Sequence, residues 1–491
     1  MNDDIQQCSA TALTGAIRRR EISSREATES HLKRIAAVNP AINAVVTLDA
    51  EAALAAAAAA DRLTVSGADL PLLHGLPMTH KDTHDVAGMR STQGSPVFAD
   101  HVPAASAPIV SRLQAAGVVS TGKTNVPEFA AGSHTFNPVF GTTTNPYDPT
   151  RSAGGSSGGV AAAIAAGIQP LGDGSDMGGS LRIPASFCNV VGFRPSYGVL
   201  PMPAASNDWA WLGRTGPMAR EVADIALFME AVAGPSDRVL PPAPLTGTDF
   251  AGLFDGREPG DLRGVRIGWS PDFGLGVPVE AEVLEVLRGQ LHHFEDAGAI
   301  VEEATIDFTD ADLVFERTRA TDFATNLGPL VAGHRHLIKP EVIWNVELGL
   351  GLGAAELIEA TAARTRLAAT VRSYFSRYDL FLAPGAQVLP FDATRRYPGA
   401  INGIESTSYL DWMRSACLLS ATGLPVLAMP AGFTTSGLPV GFQLAANHYR
   451  DADLLRHGRA FEDRTRHADR RPELAPGSGQ ATRPIVTAAA D

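Results

Sequence analysis

The sequence has few cysteines, few aromatic residues and a deficit of positive charge. Its 491 residues include only three cysteines, Cys8, Cys188 and Cys417. Three thiols cannot build a disulfide framework, and they suit a reducing cytoplasm, where we expect the protein. The chain has 40 lysine and arginine residues against 53 aspartate and glutamate residues, so its net charge is −13. Since phosphate binding needs a basic footprint, this charge argues against a nucleic-acid partner.

Long apolar runs are also missing. No stretch approaches the roughly 20 apolar residues that a membrane-spanning helix needs, and no charged start precedes an apolar core. We therefore expect neither a membrane segment nor a signal peptide. Hydrophobic residues still make up 45% of the chain, which is enough for a sizeable core. No linker divides the chain, so we predict one domain over residues 1–465, with helices in 1–62, and a mobile tail over 466–491.

The distribution of apolar residues predicts an α/β fold. Ser9 and Ser23–Ser24 stand where helix N-caps are expected, and an alanine-rich run with helical propensity begins at Asp49–Ala50. Further along, short apolar runs alternate with helical segments, which is typical of a large central sheet covered by helices on both faces. The predicted strands include Gly117–Val119, Val265–Gly268, Leu380–Leu382 and Val426–Met429.

The most informative segment is rich in glycine and serine. Residues 151–159 read Arg-Ser-Ala-Gly-Gly-Ser-Ser-Gly-Gly, and a second glycine-flanked serine follows at Ser180. Such a run is often a flexible linker. This one is short, however, and leads directly into the helix-forming stretch Val160–Ala166. That context indicates a structured loop.

Lys81 and these serines have the chemistry of a serine hydrolase that works without histidine. A serine hydroxyl is a weak nucleophile until a base takes its proton, and lysine is a base only when it is neutral. Burial lowers the pKa of lysine and makes the neutral amine accessible. A second serine can relay the proton between them. Flanking glycines allow backbone N–H groups to turn toward a developing oxyanion.

At this point the sequence resembles the amidase signature family, and the resemblance extends over about residues 5–465. It rests first on the central run 151–198, which contains Asp176–Ser180, Arg182–Ala185 and Val191–Gly198. Other segments that resemble the family are Asn39–Ala44, Gly122–Asn125, Asn145–Asp148, Gly423–Pro425 and Gly437–Gln443. The resemblance implies the amidase signature fold, with a large mixed sheet, and an enzyme that hydrolyses amide bonds.

The resemblance also implies a Ser-Ser-Lys triad. Lys81 would be the general base, Ser180 the nucleophile that forms the acyl-enzyme, and Ser156 the bridging serine, 24 residues before Ser180. In this family the bridging serine follows a cis peptide bond. Ser157 would support the loop.

Backbone N–H groups would form the oxyanion hole in such an enzyme. The residues expected to supply them are Met177, Gly178, Gly179 and Ser180. Asp176 and Arg182 are expected to brace the loop. The family often has threonine before the aspartate, and here Ser175 keeps a hydroxyl at that position.

Three other motifs suggest different chemistry. Gly117–Thr124 fits the P-loop pattern, but its predicted strand lies inside the supposed loop and Pro127 follows closely. His80 and His84 have the spacing of two metal ligands on a helix, although their neighbours indicate loop or strand, so a structural role is favoured. A Ser-His-Asp triad would need a G-x-S-x-G turn, which Ser180 lacks.

Several aromatic and polar residues are candidates for the substrate pocket. They are Phe136, Trp209, Trp211, Trp412, Gln387 and Asn402, and the loops 201–215 and 384–406 are expected to line the cleft. Each aromatic residue taken alone is better explained as core. Together they favour an aryl or other apolar amide, with carbamates (urethanes) and esters as extensions.

The expected partner is therefore a small-molecule amide or carbamate, with no metal and no cofactor implied. Two alternatives stay open. The first is a glutamine-hydrolysing subunit of a tRNA-dependent amidotransferase, although residues 339–365 lack that enzyme's tyrosine-rich segment. The second is a non-catalytic subunit with an amidase fold. The oligomeric state is also open, and a homodimer is compatible with the sequence.

Overall fold

The computed structural model describes residues 5–202, 207–237, 239–254 and 260–474 of the chain. Its helices are α1 (Ala10–Arg18), α2 (Ser24–Ile42), α3 (Ala50–Ser66), α4 (Pro108–Ala115), α5 (Gly158–Ala165), α6 (Arg182–Cys188), α7 (Val222–Val232), α8 (Ala281–Arg288), α9 (Leu291–Asp296), α10 (Ala311–His334), α11 (Pro340–Gly351), α12 (Ala354–Phe375), α13 (Arg414–Thr422) and α14 (Asp451–Thr465). Its strands are β1 (Val45–Leu48), β2 (Pro77–Lys81), β3 (Val119–Thr124), β4 (Phe136–Asn137), β5 (Gly141–Thr142), β6 (Leu171–Asp176), β7 (Val191–Arg194), β8 (Arg214–Ala219), β9 (Arg266–Trp269), β10 (Ile300–Glu303), β11 (Leu380–Pro384), β12 (Ala400–Ile401), β13 (Ile404–Glu405), β14 (Val426–Phe433) and β15 (Pro439–Ala446).

The centre of the fold is an eight-stranded mixed sheet in the order β10-β9-β11-β15-β14-β7-β8-β6. Neighbours β10, β9 and β11 run parallel, and every following pair, from β11–β15 to β8–β6, is antiparallel. The predicted mixed sheet is thus confirmed, and the predicted strand segments in 265–268, 380–382 and 426–429 fall on β9, β11 and β14. The segment 117–119 overlaps β3 only at Val119, because the strand begins there and extends further than predicted.

Both faces of this sheet are buried. On β11, Leu380 and Leu382 belong to one apolar cluster, which also contains residues of α7 and α14. Phe381 and Ala383 belong to another cluster, with residues of α12 and α13. Because successive side chains of a strand point to opposite faces, helices cover the sheet on each side.

A smaller sheet of three strands, in the order β1-β3-β2, lies beside the N-terminal helices. The predicted caps Ser9 and Ser23 are confirmed, since each accepts a backbone N–H bond in the first turn of α1 and α2. Asp49 caps α3 in the same way, at the start of the predicted alanine-rich helix. Strand β1, between α2 and α3, was not predicted within residues 1–62. It is only four residues long, and its pairing with β3 is a long-range contact.

Strand β3 also explains the P-loop-like motif. Lys123 extends along this strand, fully buried, and donates hydrogen bonds to the carbonyl oxygen of His84 and to Ser91. No helix begins after Thr124 to present N–H groups to a phosphate, because a turn leads into the short 3-10 helix Glu128–Ala130. The motif is therefore a structural strand.

Two further predictions concern the chain end and the membrane. The first residues of the expected tail contact the body of the protein, since the carbonyl of Arg470 accepts a bond from Tyr147 at 2.6 Å. Residues 475–491 lie outside the described residues, so the prediction of a mobile tail stays a prediction there. Across the described ranges, no helix combines the length and apolarity needed to cross a membrane.

Candidate active site

Lys81 ends strand β2 and points toward strand β6 of the large sheet. Its side chain is fully buried, and its Nζ lies 2.8 Å from Ser156 Oγ, 2.9 Å from Ser157 Oγ and 2.9 Å from Ser175 Oγ. The lysine therefore contacts three hydroxyl groups at once. Two of them come from the glycine-serine segment, and the third comes from β6.

The residues before Lys81 fasten β2 to β6 as well. Thr79 donates backbone and side-chain bonds to Gln169 at 2.9 and 2.6 Å, and a ring nitrogen of His80 lies 2.8 Å from Asp173. These side-chain hydrogen bonds attach the small sheet to the edge of the large sheet. They thereby position the amine of Lys81 next to β6.

Burial lowers the pKa of Lys81 to about 7, because the ammonium form loses its hydration. The carboxylates of Asp176 and Asp173 oppose this effect and raise the pKa. Around neutral pH a large fraction of this lysine is therefore an uncharged amine. Such an amine can accept a proton.

The glycine-serine segment forms a tight turn that enters α5. The peptide bond between Gly155 and Ser156 is cis, as the family resemblance implied. Gly159 packs so closely on the loop after β3 that a Cβ there would lie 2.5 Å from the backbone nitrogen of Asn125. Every residue from Ala153 to Gly159 is buried. These contacts are not compatible with a flexible linker.

Ser156 and Ser157 both reach Lys81, but their other contacts differ. Ser157 Oγ also lies 3.4 Å from the carbonyl oxygen and 3.4 Å from the backbone nitrogen of Ser175, so it bridges the turn to β6. For Ser156 Oγ, Lys81 is the one hydrogen-bond partner among the residues that the structure describes. The hydroxyl of Ser156 is thus the freer of the two to exchange a proton with a third group.

Ser180 follows β6 directly, at the entrance to α6. The residue is 7% exposed, and its backbone carbonyl accepts a hydrogen bond from the backbone nitrogen of Ser157 at 3.1 Å. The N–H of Gly179 donates to Asp176 Oδ1 at 2.9 Å. This contact differs from the expectation for Gly179, whose N–H is already engaged. The N–H groups of Met177, Gly178 and Ser180 remain as candidate oxyanion donors.

Asp176 holds this loop in shape. Besides the Gly179 bond, its carboxylate accepts from the backbone nitrogen of Leu181 at 3.1 Å and from Arg182 Nε at 3.0 Å, and it pairs with Arg194 at 3.4 Å. All three charged side chains are fully buried. The neighbouring arginines hold the pKa of Asp176 well below its usual range, even though burial alone would raise it. A permanently ionised carboxylate therefore fixes the direction of the loop N–H groups.

An apolar wall lies against the same loop, and sequence analysis did not find it. A Cβ on Gly178 would be only 2.8 Å from Phe315 Cζ, so the aromatic ring of this α10 residue touches the loop. Met177 packs against the cluster that contains Phe129 and Phe323. One turn after Phe315, the buried Arg319 places Nη1 3.2 Å from Met177 Sδ.

The predicted pocket residues have different surroundings. Trp209 is 66% exposed, and Trp211 is partly buried with Arg364 stacked 3.7 Å from its ring centre. Both tryptophans line a cavity of about 210 Å³ that also includes residues of α10. Two cations approach the ring of Phe136, with Lys339 Nζ 5.5 Å and the guanidinium carbon of Arg396 5.6 Å from the ring centre.

The remaining candidates are engaged within the protein. Gln387 is fully buried, donates to the carbonyls of Pro278 and Asp411 at 3.1 Å each, and accepts from the Ser415 nitrogen at 2.9 Å. A contact with a leaving group would require it to give up these bonds. Asn402 donates to the Val279 carbonyl at 2.8 Å. Trp412 is 1% exposed and belongs to the core.

His80 and His84 do not form a metal pair. A ring nitrogen of each contacts a different oxygen of Asp173, and both histidines are fully buried. The two imidazoles hold the pKa of this carboxyl well below its usual range, against the effect of burial. Together the three side chains form a polar cluster behind Lys81, which agrees with the favoured structural role.

Comparisons with known proteins show which family the chain resembles. The model of the amidase family matches residues 26–455. An acylamidase from Rhodococcus erythropolis is 35% identical over 470 residues, covering 94% of this chain and 97% of the relative. A glutamyl-tRNA(Gln) amidotransferase subunit from Moorella thermoacetica is 35% identical over 496 residues, covering 96% and 99%. Among solved structures, a bacterial aryl acylamidase superposes with a TM-score of 0.87 at 28% identity, covering 94% of this chain and 98% of the other.

Proposed function

This chain belongs to the amidase signature family, whose members hydrolyse amide C–N bonds, and we propose that it does so through Lys81, Ser156 and Ser180. The observation that carries the proposal is the buried Lys81 amine, 2.8 Å from the hydroxyl of Ser156. A lysine whose pKa lies near 7 can act as a base at neutral pH.

In the first half of the reaction, Ser180 Oγ attacks the amide carbonyl. Its proton passes to Ser156, whose own proton passes to the neutral Lys81. The negative charge that develops on the carbonyl oxygen is stabilised by the candidate backbone N–H donors of Met177, Gly178 and Ser180. When the tetrahedral intermediate collapses, the proton returns through Ser156 to the leaving nitrogen, and an amine departs from the acyl-enzyme.

In the second half, water attacks the ester carbonyl of the acyl-enzyme. Lys81 again accepts a proton through Ser156, and Ser180 leaves as the free hydroxyl with the carboxylic acid as product. Preorganised N–H donors are typically worth about 100- to 1000-fold in rate each, so the bracing of this loop by Asp176 contributes to catalysis through position. Asp176 and Arg182 act in this scheme as positioning residues.

The substrate class that we propose is an aryl or other apolar amide. The loop is bordered by the apolar side chains of Phe315, Met177 and Phe129. This border favours apolar substrate groups, because their desolvation costs little free energy. The similarity to an aryl acylamidase points the same way. Carbamates and esters are proposed as further substrates, because attack on their carbonyl uses the same oxyanion donors.

The test is the release of amine from a panel of anilides, aryl carbamates, aliphatic amides and glutamine by the purified chain. We expect turnover of the aromatic members, at least about 10-fold faster in kcat/KM than small aliphatic amides, since a buried aromatic ring adds substantial apolar area to the contact. An equal preference for small aliphatic amides would contradict the substrate class while leaving the amidase chemistry intact.

The similarity to an amidotransferase subunit favours one alternative, the hydrolysis of glutamine within a complex. Glutamine is hydrophilic, and its side-chain amide would have to lie against Phe315 and Met177. Glutaminase activity that appears only with partner subunits or tRNA, together with silence toward anilides, would support this alternative. Turnover of anilides by the chain alone would exclude it as the main activity.

The two neighbouring serines provide a matched pair of variants. Ser156→Ala removes the proposed proton relay and is expected to lower kcat by about 100-fold or more. Ser157→Ala removes a bridge to Ser175 and is expected to lower kcat by less than about 10-fold, with a small loss of thermal stability. Equal effects of the two substitutions on kcat would overturn the assignment of Ser156 as the relay.

A further inference from the structure

Helix α9 carries a cluster of metal-ligating side chains at the surface of the protein. His292, His293 and Asp296 each offer one ligand atom, and these three atoms lie within 4.8 Å of one another. Among the described residues, this is the only group of three or more histidine, cysteine, aspartate or glutamate side chains with such a spacing. We define the α9 cluster as these three residues.

The helix brings the three side chains together. Asp296 follows His293 by three positions and His292 by four, and residues at these spacings are neighbours on a helix surface. The ring centres of His292 and His293 are 3.9 Å apart, and the ring planes meet at 38°. The two imidazoles are therefore adjacent, with the carboxylate of Asp296 one turn further along the helix.

Packing anchors one face of α9 and leaves the cluster accessible. Phe294 is 1% exposed, and its ring stacks on Phe461 of α14 with the ring centres 4.5 Å apart. The ring of His293 meets the same Phe461 edge to face, at 6.2 Å. His292 and Asp296 are exposed, and His293 is partly exposed. A metal ion can thus reach the cluster from solvent, while the backbone that carries the ligands is held in place.

The protonation of His293 is compatible with metal binding near neutral pH. Burial and the neighbouring His292 lower the pKa of His293, so its ring is mostly neutral there and offers an electron pair. Asp296 opposes this shift, and the positive charge of Arg464, on α14, adds to it. An incoming cation is repelled by Arg464, and the carboxylate of Asp296 compensates for that repulsion.

The chemistry of the ligand atoms selects the class of metal. Imidazole nitrogens and a carboxylate oxygen suit Zn²⁺ and the neighbouring divalent transition metals. In a tetrahedral zinc site with bonds of about 2.1 Å, ligand atoms are about 3.4 Å apart, so each atom of the cluster would have to move inward by about 1 Å. Rotation of surface side chains allows such a movement. Mg²⁺ prefers oxygen ligands and would find one such side chain here.

We propose that the α9 cluster is a binding site for one divalent transition-metal ion such as Zn²⁺. His292, His293 and Asp296 are its protein ligands, and water completes the coordination. None of these residues belongs to the catalytic machinery proposed above, so the inference does not depend on the amidase chemistry. A bound ion would connect consecutive turns of α9 and would stabilise the folded chain.

The test is isothermal titration calorimetry of the full chain, purified without a histidine tag and freed of metal with a chelator. At about pH 7.5 we expect one Zn²⁺ to bind per chain, far more tightly than Mg²⁺. His293→Gln and Asp296→Asn should each weaken the binding of Zn²⁺ by about 10-fold or more, because each removes a ligand. The control His336→Gln removes an exposed histidine elsewhere and should leave the affinity unchanged.

The position of the ion provides a second measurement. In crystals soaked with Zn²⁺, an anomalous difference peak should lie between the two imidazoles and Asp296. The melting temperature in the presence of EDTA should be the same for wild type and the variants, because the substituted side chains are exposed or partly exposed. Absence of Zn²⁺ binding at millimolar concentration, an affinity that both ligand substitutions leave unchanged, or equal binding of Mg²⁺ would overturn the site.

Discussion

Ser180→Ala should reduce kcat for an anilide by about 10,000-fold or more, because no acyl-enzyme can form without the hydroxyl. The substitution removes one atom from a residue that is only 7% exposed, and the loop is held by Asp176 through backbone bonds that alanine retains. The fold should therefore be unchanged. Residual activity should come from the oxyanion donors and from substrate orientation alone.

The measurement is amine release under saturating substrate, with a thermal melt of each variant. Ser111→Ala is the matched control, because it removes an exposed serine hydroxyl from α4. Mass spectrometry of acid-quenched wild type should find the acyl group on the peptide that contains Ser180, and none on that peptide in the variant. Activity within 10-fold of wild type in Ser180→Ala, or an acyl group on another peptide, would exclude Ser180 as the nucleophile.

The second large effect is expected at Lys81. Lys81→Met keeps the length of the side chain but removes the proton acceptor, and it should lower kcat by about 100- to 10,000-fold. The substitution also leaves the buried hydroxyl of Ser156 without its hydrogen-bond partner, so we expect the melting temperature to fall by a few degrees while the protein still folds. Loss of folding together with loss of activity would make the variant uninformative about the base, and the pH profile of wild type then decides.

That profile follows from the lowered pKa of Lys81. The base acts in its neutral form, which is populated above a pKa of about 7. In wild type, kcat/KM should thus rise through pH 7 to a plateau and be about 100-fold below the plateau at pH 5, two pH units below the pKa. The remaining activity of Lys81→Met should lack this rise. A flat wild-type profile between about pH 5 and 9, with chemistry rate-limiting, would contradict the role of Lys81.

The sequence predicted the α/β fold, and it singled out Lys81 and Ser156, which the structure places in hydrogen-bond contact. The signals behind these predictions are mostly local. The glycines of 151–159 permit the tight approach of that turn to Asn125, and a motif of this length resembles few families. Helix caps such as Ser23 depend on residues only three positions away. Features of this kind depend on neighbouring residues in the sequence, so they can be predicted without knowing the tertiary structure.

The parts that were missed depend on long-range packing. Arg319 meets Met177 across 142 residues of sequence, and an arginine in a helix carries no sign that it will be buried. Gln387 looked like a binding residue because it lies in a loop, yet its amide joins three other segments of backbone. The direction of the Gly179 N–H likewise depends on where the Asp176 carboxylate lies. None of these contacts is indicated by a periodicity or a residue spacing in the sequence, so none of them could be predicted.

The attachment of strand β2 to strand β6 has a consequence for how the activity can be used. Lys81 lies on the small sheet, and Ser180 lies in the loop that follows β6 of the large sheet. Side-chain bonds from Thr79, His80 and Lys81 connect the two parts. Each sheet can keep its own backbone ladder if these bonds loosen, and circular dichroism would register little change. Turnover needs Lys81 and Ser180 to be aligned to within about 1 Å. During refolding, the recovery of activity should therefore report when the two sheets pack against each other. Circular dichroism, which measures secondary structure, would not detect that step.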